Sequence, residues 1–232
     1  MRPEVAWIVE RLPQGGRVLD YGPLEGAEVA GLAGVCQATC LNLLGKTPVE
    51  GARYVDSVDE LEAGVFDAAL CVHAFGLGLM AWGELTAHAL CQLVRPGGRV
   101  FVAAPVGTPG MAVVRQYGSM RVFTRESVVE IFHTITQAEL AEEAYFERGQ
   151  PVEWEALRGW PGVIGKEIVQ VGAFAFVKAN PQPLTLGETQ SQDMPEGWTA
   201  EWVETVEQPV HPLEARADPR VCRAVAVMMG GC

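Results

Sequence analysis

The sequence has no uninterrupted run of about 18 apolar residues, the length a helix needs to cross a bilayer. Its most apolar stretch, residues 65–82, is broken by Asp67, His73, Gly76 and Gly78. Positive charge is scarce as well: 17 Lys and Arg stand against 29 Asp and Glu, for a formal net charge of −12. Phosphate binding needs a concentrated basic face, and the basic residues are scattered without a run. Nucleic acid and an anionic membrane surface are therefore not expected as partners, and a small molecule is favoured. Residues 1–12 carry Glu4 and Glu10 where a signal peptide needs a clean apolar stretch, so the expected location is cytoplasmic. The six cysteines (Cys36, Cys40, Cys71, Cys91, Cys222, Cys232) form no C-x-x-C pair and fall mostly in apolar segments. They read as reduced, buried thiols. No internal repeat is visible.

What the chain does have is apolar content sufficient for a core, at 49% of 232 residues. Residues 3–12 carry a short helical stripe (Val5, Ile8, Leu12) that ends at Pro13. Arg17-Val18-Leu19-Asp20-Tyr21-Gly22 reads as a buried strand closed by glycine, and residues 24–32 suit a helix. Apolar runs at 38–44 and 52–55 follow. Residues 66–72 are apolar on both faces, as a central parallel strand requires. Residues 82–94 have helical spacing, Pro96-Gly97-Gly98 predicts a turn, and residues 99–104 a fifth strand. Such strand–helix alternation indicates βαβ units and a mostly parallel sheet covered by helices. Thr124 with Ser127 behind it opens a further helix over 124–132, and residues 138–146 and 169–178 predict two closing strands. Between them lies a connection containing Trp154 and Trp160.

From Asn180 the composition shifts. Pro181, Pro183, Pro195, Pro209, Pro212 and Pro219 interrupt an acidic segment that still carries Trp198, Trp202 and an apolar end at 221–229. The expected organisation is a domain over 1–179 and an extension over 180–232. The extension is expected to lie along the domain or to pair with another subunit in a homo-oligomer.

Five motifs stand in one order: Val18-Leu19-Asp20-Tyr21-Gly22-Pro23-Leu24-Glu25-Gly26, Leu41-Asn42-Leu43, Val55-Asp56-Ser57-Val58, Phe66-Asp67-Ala68-Ala69-Leu70-Cys71-Val72-His73, and Leu93-Val94-Arg95-Pro96-Gly97-Gly98-Arg99. The first, a strand entering a glycine turn and a helix, brings backbone N–H groups and a helix N-terminus towards a ligand. With these motifs the sequence resembles the class I S-adenosylmethionine-dependent methyltransferases over about Gly16 to Phe146. His73-Ala74-Phe75-Gly76-Leu77-Gly78, Ala104-Pro105-Val106-Gly107 and Arg121-Val122-Phe123 resemble, within that superfamily, a methyltransferase-related domain family of unassigned function.

The resemblance implies a Rossmann-like α/β fold with a mostly parallel seven-stranded sheet and an antiparallel closing strand. It implies S-adenosylmethionine as cofactor. Gly22, Pro23 and Gly26 would line its methionine and ribose side, Asn42 would face the ribose hydroxyls, and Asp56, Ser57 and Val58 would sit near the adenine. Val72 and His73 would lie where cofactor and substrate meet. Two positions depart from the family pattern. Leu24 stands where glycine is usual, and Asn42 where a carboxylate usually accepts from both ribose hydroxyls, which weakens the expected affinity.

His73 is the titratable group nearest the expected chemistry and a candidate general base; the alternative is a histidine satisfied by backbone at a strand end. Asp20 reads as structural. Cys71 and His73 are two apart on a strand and expected on one side, and His88 and Cys91 share a helix face. Neither pair has a zinc spacing, so no metal is expected. Arg121 and Arg125 flank Val122-Phe123-Thr124, and Arg121 is the candidate for a substrate carboxylate or phosphate. The function expected is methyl transfer to a small molecule. The alternative is a methyltransferase-like binding or assembly protein without catalysis; a nicotinamide-dependent oxidoreductase is disfavoured by the incomplete glycine fingerprint.

Overall fold

The computed structural model describes residues 1–22, 24, 26–41, 47–75, 82–109, 115–117, 120–157, 163–164 and 167–179. The extension expected over 180–232, and with it Cys222 and Cys232, lies outside the described residues, as do Pro23 and Asn42.

The main sheet is built from β1 (Arg17–Asp20), β2 (Gln37–Leu41), β3 (Arg53–Val55), β4 (Phe66–Val72) and β5 (Val94–Pro105), all parallel to their neighbours. Two short strands, β6 (Arg115–Tyr117) and β7 (Met120–Val122), pair with each other apart from it. β8 (Glu139–Glu147) and β9 (Gln150–Val152) form a hairpin, β10 (Val163–Ile164) and β11 (Glu167–Ile168) a second one, and β12 (Gln170–Val177) completes the sheet. The order across it is β3-β2-β1-β4-β5-β12-β8-β9, with β12 antiparallel to both β5 and β8. The sheet therefore has eight strands among the described residues. The eighth is β9, three residues turned back at Arg148 and Gly149, both at positive φ.

Central strands read as continuous apolar runs because each face meets a helical layer. Along β4, Ala68, Leu70 and Val72 pack with α1 (Pro3–Val9) and α2 (Gly26–Ala33), while Ala69 and Cys71 pack with α3 (Trp82–Leu93) and α4 (Arg125–Thr136). β5 and β12 alternate the same way, so Phe101, Ala103, Val171 and Ala173 face α1 while Val102, Ala104, Phe174 and Phe176 face the other layer. The α3/α4 layer is aromatic: the Phe132 ring lies 4.1 Å from Phe176 and 5.7 Å from Phe75.

Local signals account for most boundaries. Pro3 starts α1, where its missing N–H costs nothing. The helix stops at Val9, short of the stripe read from sequence, although Leu12 still reaches the core. α4 opens on the reciprocal Thr124–Ser127 cap read from sequence. The Pro96-Gly97-Gly98 turn is a correction in kind, since these residues begin β5 rather than precede it. Gly97 N donates to the Lys178 carbonyl and Lys178 N to the Gly98 carbonyl, both at 3.0 Å, which draws the turn into the sheet. Gly97 sits at φ 72, and a side chain on Gly98 would meet the backbone oxygens of Asp67 and Arg95 at 2.7 and 2.9 Å. No helix among the described residues is long and apolar enough to cross a membrane.

Candidate functional site

Open parallel sheets offer ligands the crevice beyond the carboxyl ends of their strands. The registers fix which residues meet there. Asp20 is level with Cys40 and with Leu70, and Leu41 with Val55. Gly22 lies two residues past Asp20, Val72 two past Leu70 and Asp56 one past Val55, so all three stand at that edge. Tyr21 N still donates to the Leu70 carbonyl, and a side chain on Gly22 would come within 3.1 Å of the Ala74 Cβ. Glycine at this point keeps the β1 and β4 ends close together. Gly26, the first residue of α2, is less constrained, with only ordinary contact to Val49.

Leu24, the departure from the family pattern, is 3% exposed and packs into the α1/α2 core. Its bulk is therefore directed away from solvent. Ser57 caps a short 3-10 turn, Val58–Glu60, accepting from Asp59 N. The Glu60 carboxylate accepts from both Asp56 N at 2.9 Å and Ser57 N at 3.0 Å. The backbone donors that would meet an adenine edge are thus engaged by Glu60.

At the end of β4 the chain turns sharply. His73 N donates to the Ala103 carbonyl at 2.8 Å, yet the residue sits at φ 56, a left-handed conformation that a non-glycine residue holds only under constraint. The turn reverses the expectation for its side chain. Cys71 lies in the α3/α4 core, whereas the His73 ring reaches Glu4 on α1, Nε2 to Oε1 at 2.8 Å. The two residues do not share a side. His88 and Cys91 diverge too: the imidazole meets Gln92 at the surface and the thiol is buried.

Glu4 was given no role by the sequence, but its partners make it central to this edge. It is 4% exposed and also lies near Arg2, which forks onto Glu28 of α2 at 2.7 and 2.8 Å. Burial pushes the Glu4 carboxyl up, but the hydrogen bond to His73, a backbone bond and the nearby charges outweigh it and hold it below the ordinary 4.5. An ionised carboxylate can only accept. His73 Nε2 therefore donates to Glu4, and in the neutral ring Nδ1 carries the lone pair. Nδ1 is buried and has no hydrogen-bond partner.

Asp20 is buried at 2%, in line with a structural role. Burial, with the Asp20 charge adding to it, pushes the Cys40 thiol up to about 12, and burial alone takes Cys36 to about 11. Cys71 and Cys91 are raised as well, chiefly by burial. All four are free, buried and protonated at neutral pH, hence poor nucleophiles.

The two arginines around Phe123 separate. Arg125 Nε donates to both carboxylate oxygens of Glu143 on β8, at 3.0 and 2.9 Å. Arg121 is buried at 6% exposure, its guanidinium carbon 5.7 Å from the Phe123 ring centre. An open groove of about 840 Å³ lies at the far side of the sheet, between the α4 start and the β8–β9 hairpin, with Arg125, Glu143, Tyr145 and Trp154 on its walls. Gly22, Val72 and Asp56 do not line it.

No protein-family model and no curated protein matches the sequence. Solved structures do match the fold. A Burkholderia thailandensis 1,6-didemethyltoxoflavin-N1-methyltransferase, with 1,6-didemethyltoxoflavin and S-adenosylhomocysteine bound, aligns at TM-score 0.59 and 18% identity over 77% of this chain and 78% of that one. The N-methyltransferase NodS of Bradyrhizobium japonicum with S-adenosylhomocysteine aligns at TM-score 0.53 and 14% identity, covering 76% and 85%. The 4+2 cyclase SpnF aligns at TM-score 0.55 and 16% identity, covering 75% and 79%. The chain has the Rossmann-like fold of the class I S-adenosylmethionine-dependent methyltransferases.

Proposed function

We propose that the chain binds S-adenosylmethionine along the carboxyl edge of β1–β4 and transfers its methyl group to a small-molecule acceptor. The observation that carries this reading is that Gly22, Val72 and Asp56 stand at the carboxyl ends of adjoining parallel strands, next to the constrained His73. Gly22, Pro23 and Gly26 would hold the methionine and ribose side, Asn42 the ribose hydroxyls, and Asp56, Ser57 and Val58 the adenine. Leu24 is compatible with this because it packs into the core. Bound there, the cofactor supplies a methyl group on a positively charged sulfur. His73 stands beside Val72 at the mouth, and its Nδ1 accepts the proton that an N–H or O–H acceptor gives up. By accepting from Nε2–H, Glu4 orients the ring and fixes the tautomer of the neutral imidazole, with the lone pair on Nδ1. Arg121 faces the acceptor side. The formal charge of −12 favours a small molecule over nucleic acid or an anionic membrane. Residues 180–232 would pack on the 1–179 domain or on a second copy in a homo-oligomer, and the setting would be cytoplasmic.

A second reading, a methyltransferase-like binding or assembly protein, is favoured by one observation. Glu60 already occupies the Asp56 and Ser57 amides. SpnF, a cyclase of this fold, also separates the fold from methyl transfer.

Calorimetric titration with S-adenosylmethionine, S-adenosylhomocysteine and NAD tests the proposal. Micromolar binding of the first two and none of NAD is expected. Gly22→Arg should abolish binding while the far-UV circular dichroism stays that of the parent, because its side chain must enter the space beside Ala74. If neither adenosyl compound binds, methyl transfer is ruled out; if Gly22→Arg still binds them, the site lies elsewhere.

A further inference from the structure

In a chain with 29 acidic residues, no Asp or Glu occurs between Glu84 and Glu126. Five arginines do: Arg95, Arg99, Arg115, Arg121 and Arg125. Three of them reach carboxylates elsewhere, Arg95 at Asp67, Arg99 at Glu142 and Arg125 at Glu143. Each of those three is at least one-third exposed. Arg121 is 6% exposed, pairs with no carboxylate among the described residues, and its Nη2 is buried with no hydrogen-bond partner. Among the four of these arginines whose side chains are described, the most deeply buried guanidinium is the one that pairs with no carboxylate.

That inversion needs a cause. A guanidinium cannot shed its charge in a protein. A buried charge left unpaired costs several kcal/mol, and no residue of the surrounding segment can compensate it. A second buried polar atom without a partner belongs to the strand that pairs with the end of β5. Gln170, 1% exposed, opens β12, and its Oε1 is unbonded. Val106, just past β5, joins the two: its N–H donates to the Gln170 carbonyl, and it bridges to Phe123, two residues from Arg121. Gln170 alternates with Phe174 and Phe176 along β12, so it belongs to the α3/α4 face, as does Phe123. One donor with full charge and one neutral acceptor thus flank the end of β5 on one face of the sheet.

We propose that Arg121 and Gln170 form a binding subsite for a small organic oxyanion, a carboxylate or a phosphate, that carries a hydrogen-bond donor beside it. This rests on the methyl-transfer reading only in taking that oxyanion to be the methyl acceptor. The guanidinium fork matches two oxygens of either anion, and Gln170 Oε1 receives the neighbouring N–H or O–H.

The test uses the full chain, thermal unfolding and calorimetry, with benzoate, phenyl phosphate and neutral benzamide as probes, with and without S-adenosylhomocysteine. In the ligand-free protein Arg121→Met is expected to raise Tm by about 2–4 °C, because it removes an uncompensated charge. A guanidinium that merely supports the fold would give a fall. Benzoate or phenyl phosphate should bind the parent chain and benzamide should not; which anion binds separates the carboxylate source from the phosphate one. Arg121→Met and Gln170→Leu should each weaken the bound anion about tenfold or more. Arg121→Lys, with charge kept and the fork lost, is expected to weaken binding as well. S-adenosylhomocysteine affinity should not change in any variant. The proposal is overturned if neither anion binds, if the variants leave anion affinity unchanged, if Arg121→Met lowers Tm, or if S-adenosylhomocysteine binding falls in Arg121→Met, which would assign the guanidinium to the cofactor carboxylate. If the anion binds through Arg121 while S-adenosylhomocysteine does not bind at all, the subsite stands and the methyl-transfer reading fails.

Discussion

At the amino edge of the sheet, Asp67 accepts from Arg17 N at 2.8 Å and from Arg95 Nε at 2.6 Å, while Lys178 Nζ donates to the Val94 carbonyl at 2.7 Å. At the carboxyl edge, His73 Nδ1, Arg121 Nη2 and Gln170 Oε1 are buried without hydrogen-bond partners, and His73 holds a positive φ. An unmet buried polar atom costs about 1–3 kcal/mol, so three of them at one edge are expensive to keep. The difference assigns the two edges different work. The amino edge closes the fold, and the carboxyl edge keeps polar groups free for something that arrives from outside. Substitutions at the first should therefore move stability and leave ligand affinity alone.

The largest expected effect is at the amino edge. A methyl group on Gly98 would stand 2.5 Å from the Val94 Cγ1 and against two backbone oxygens that cannot step aside. Gly98→Ala should cost about 2–3 kcal/mol, or roughly 5–10 °C in Tm by calorimetry. Its affinity for S-adenosylhomocysteine, measured well below Tm, should equal that of the parent chain. Lost affinity in the folded variant would break the separation of the edges.

Glu4 is the exception that sharpens the comparison, because it is a satisfied group at the carboxyl edge. Glu4→Gln keeps a hydrogen bond to His73 but loses the charge, and should cost about 1–2 kcal/mol at pH 7. The sign of its pH dependence follows from the carboxyl being held below 4.5 in the folded chain. Its stabilisation is complete above the ordinary value and is lost as pH falls through the lowered one. The Tm gap between parent and Glu4→Gln should thus narrow below about pH 4.5. A gap that stays constant down to pH 3, followed by thermal scans, would show that the charge contributes nothing.

The same contrast explains what could be read from the sequence. Strand β4 was legible residue for residue because burial on both faces demands a continuous apolar run. The Phe66-Asp67 and Pro96-Gly97-Gly98 motifs were legible as family marks, and they turn out to serve closure: Asp67 ties β1 to the start of β5, and Gly98 lies on the Asp67 carbonyl. The carboxyl edge was harder. Glu4 and His73 are 69 residues apart, and no local pattern announces their pairing. Alternation placed His73 beside Cys71, but a single left-handed residue undid it. Arg121 and Arg125 looked equivalent until β8 supplied Glu143 to only one of them. Gln170 did leave a trace, as the one polar residue opening an otherwise apolar strand. Ser57 with Glu60 three residues on is a capping box readable in the sequence, and in the structure it engages the amides expected near the adenine.

The smallest expected effect tests whether the amino edge is held by charge or by backbone. Asp67 and Arg95 form the shortest ion pair at that edge, which invites the view that the pair clamps the sheet. The Asp67 carboxyl is held below its ordinary value first by the backbone N–H of Arg17; burial opposes this, and Arg95 comes after both. The Arg95 side chain is 53% exposed, so water and salt screen its charge. Arg95→Ala should therefore cost about 0.5 kcal/mol or less, a shift of roughly 1–2 °C in a thermal scan. Because the Arg17 N–H remains, the Asp67 carboxylate keeps its main partner and β1 keeps its register. A loss as large as that of Glu4→Gln would mean that the surface cation, rather than the peptide donor, secures the edge.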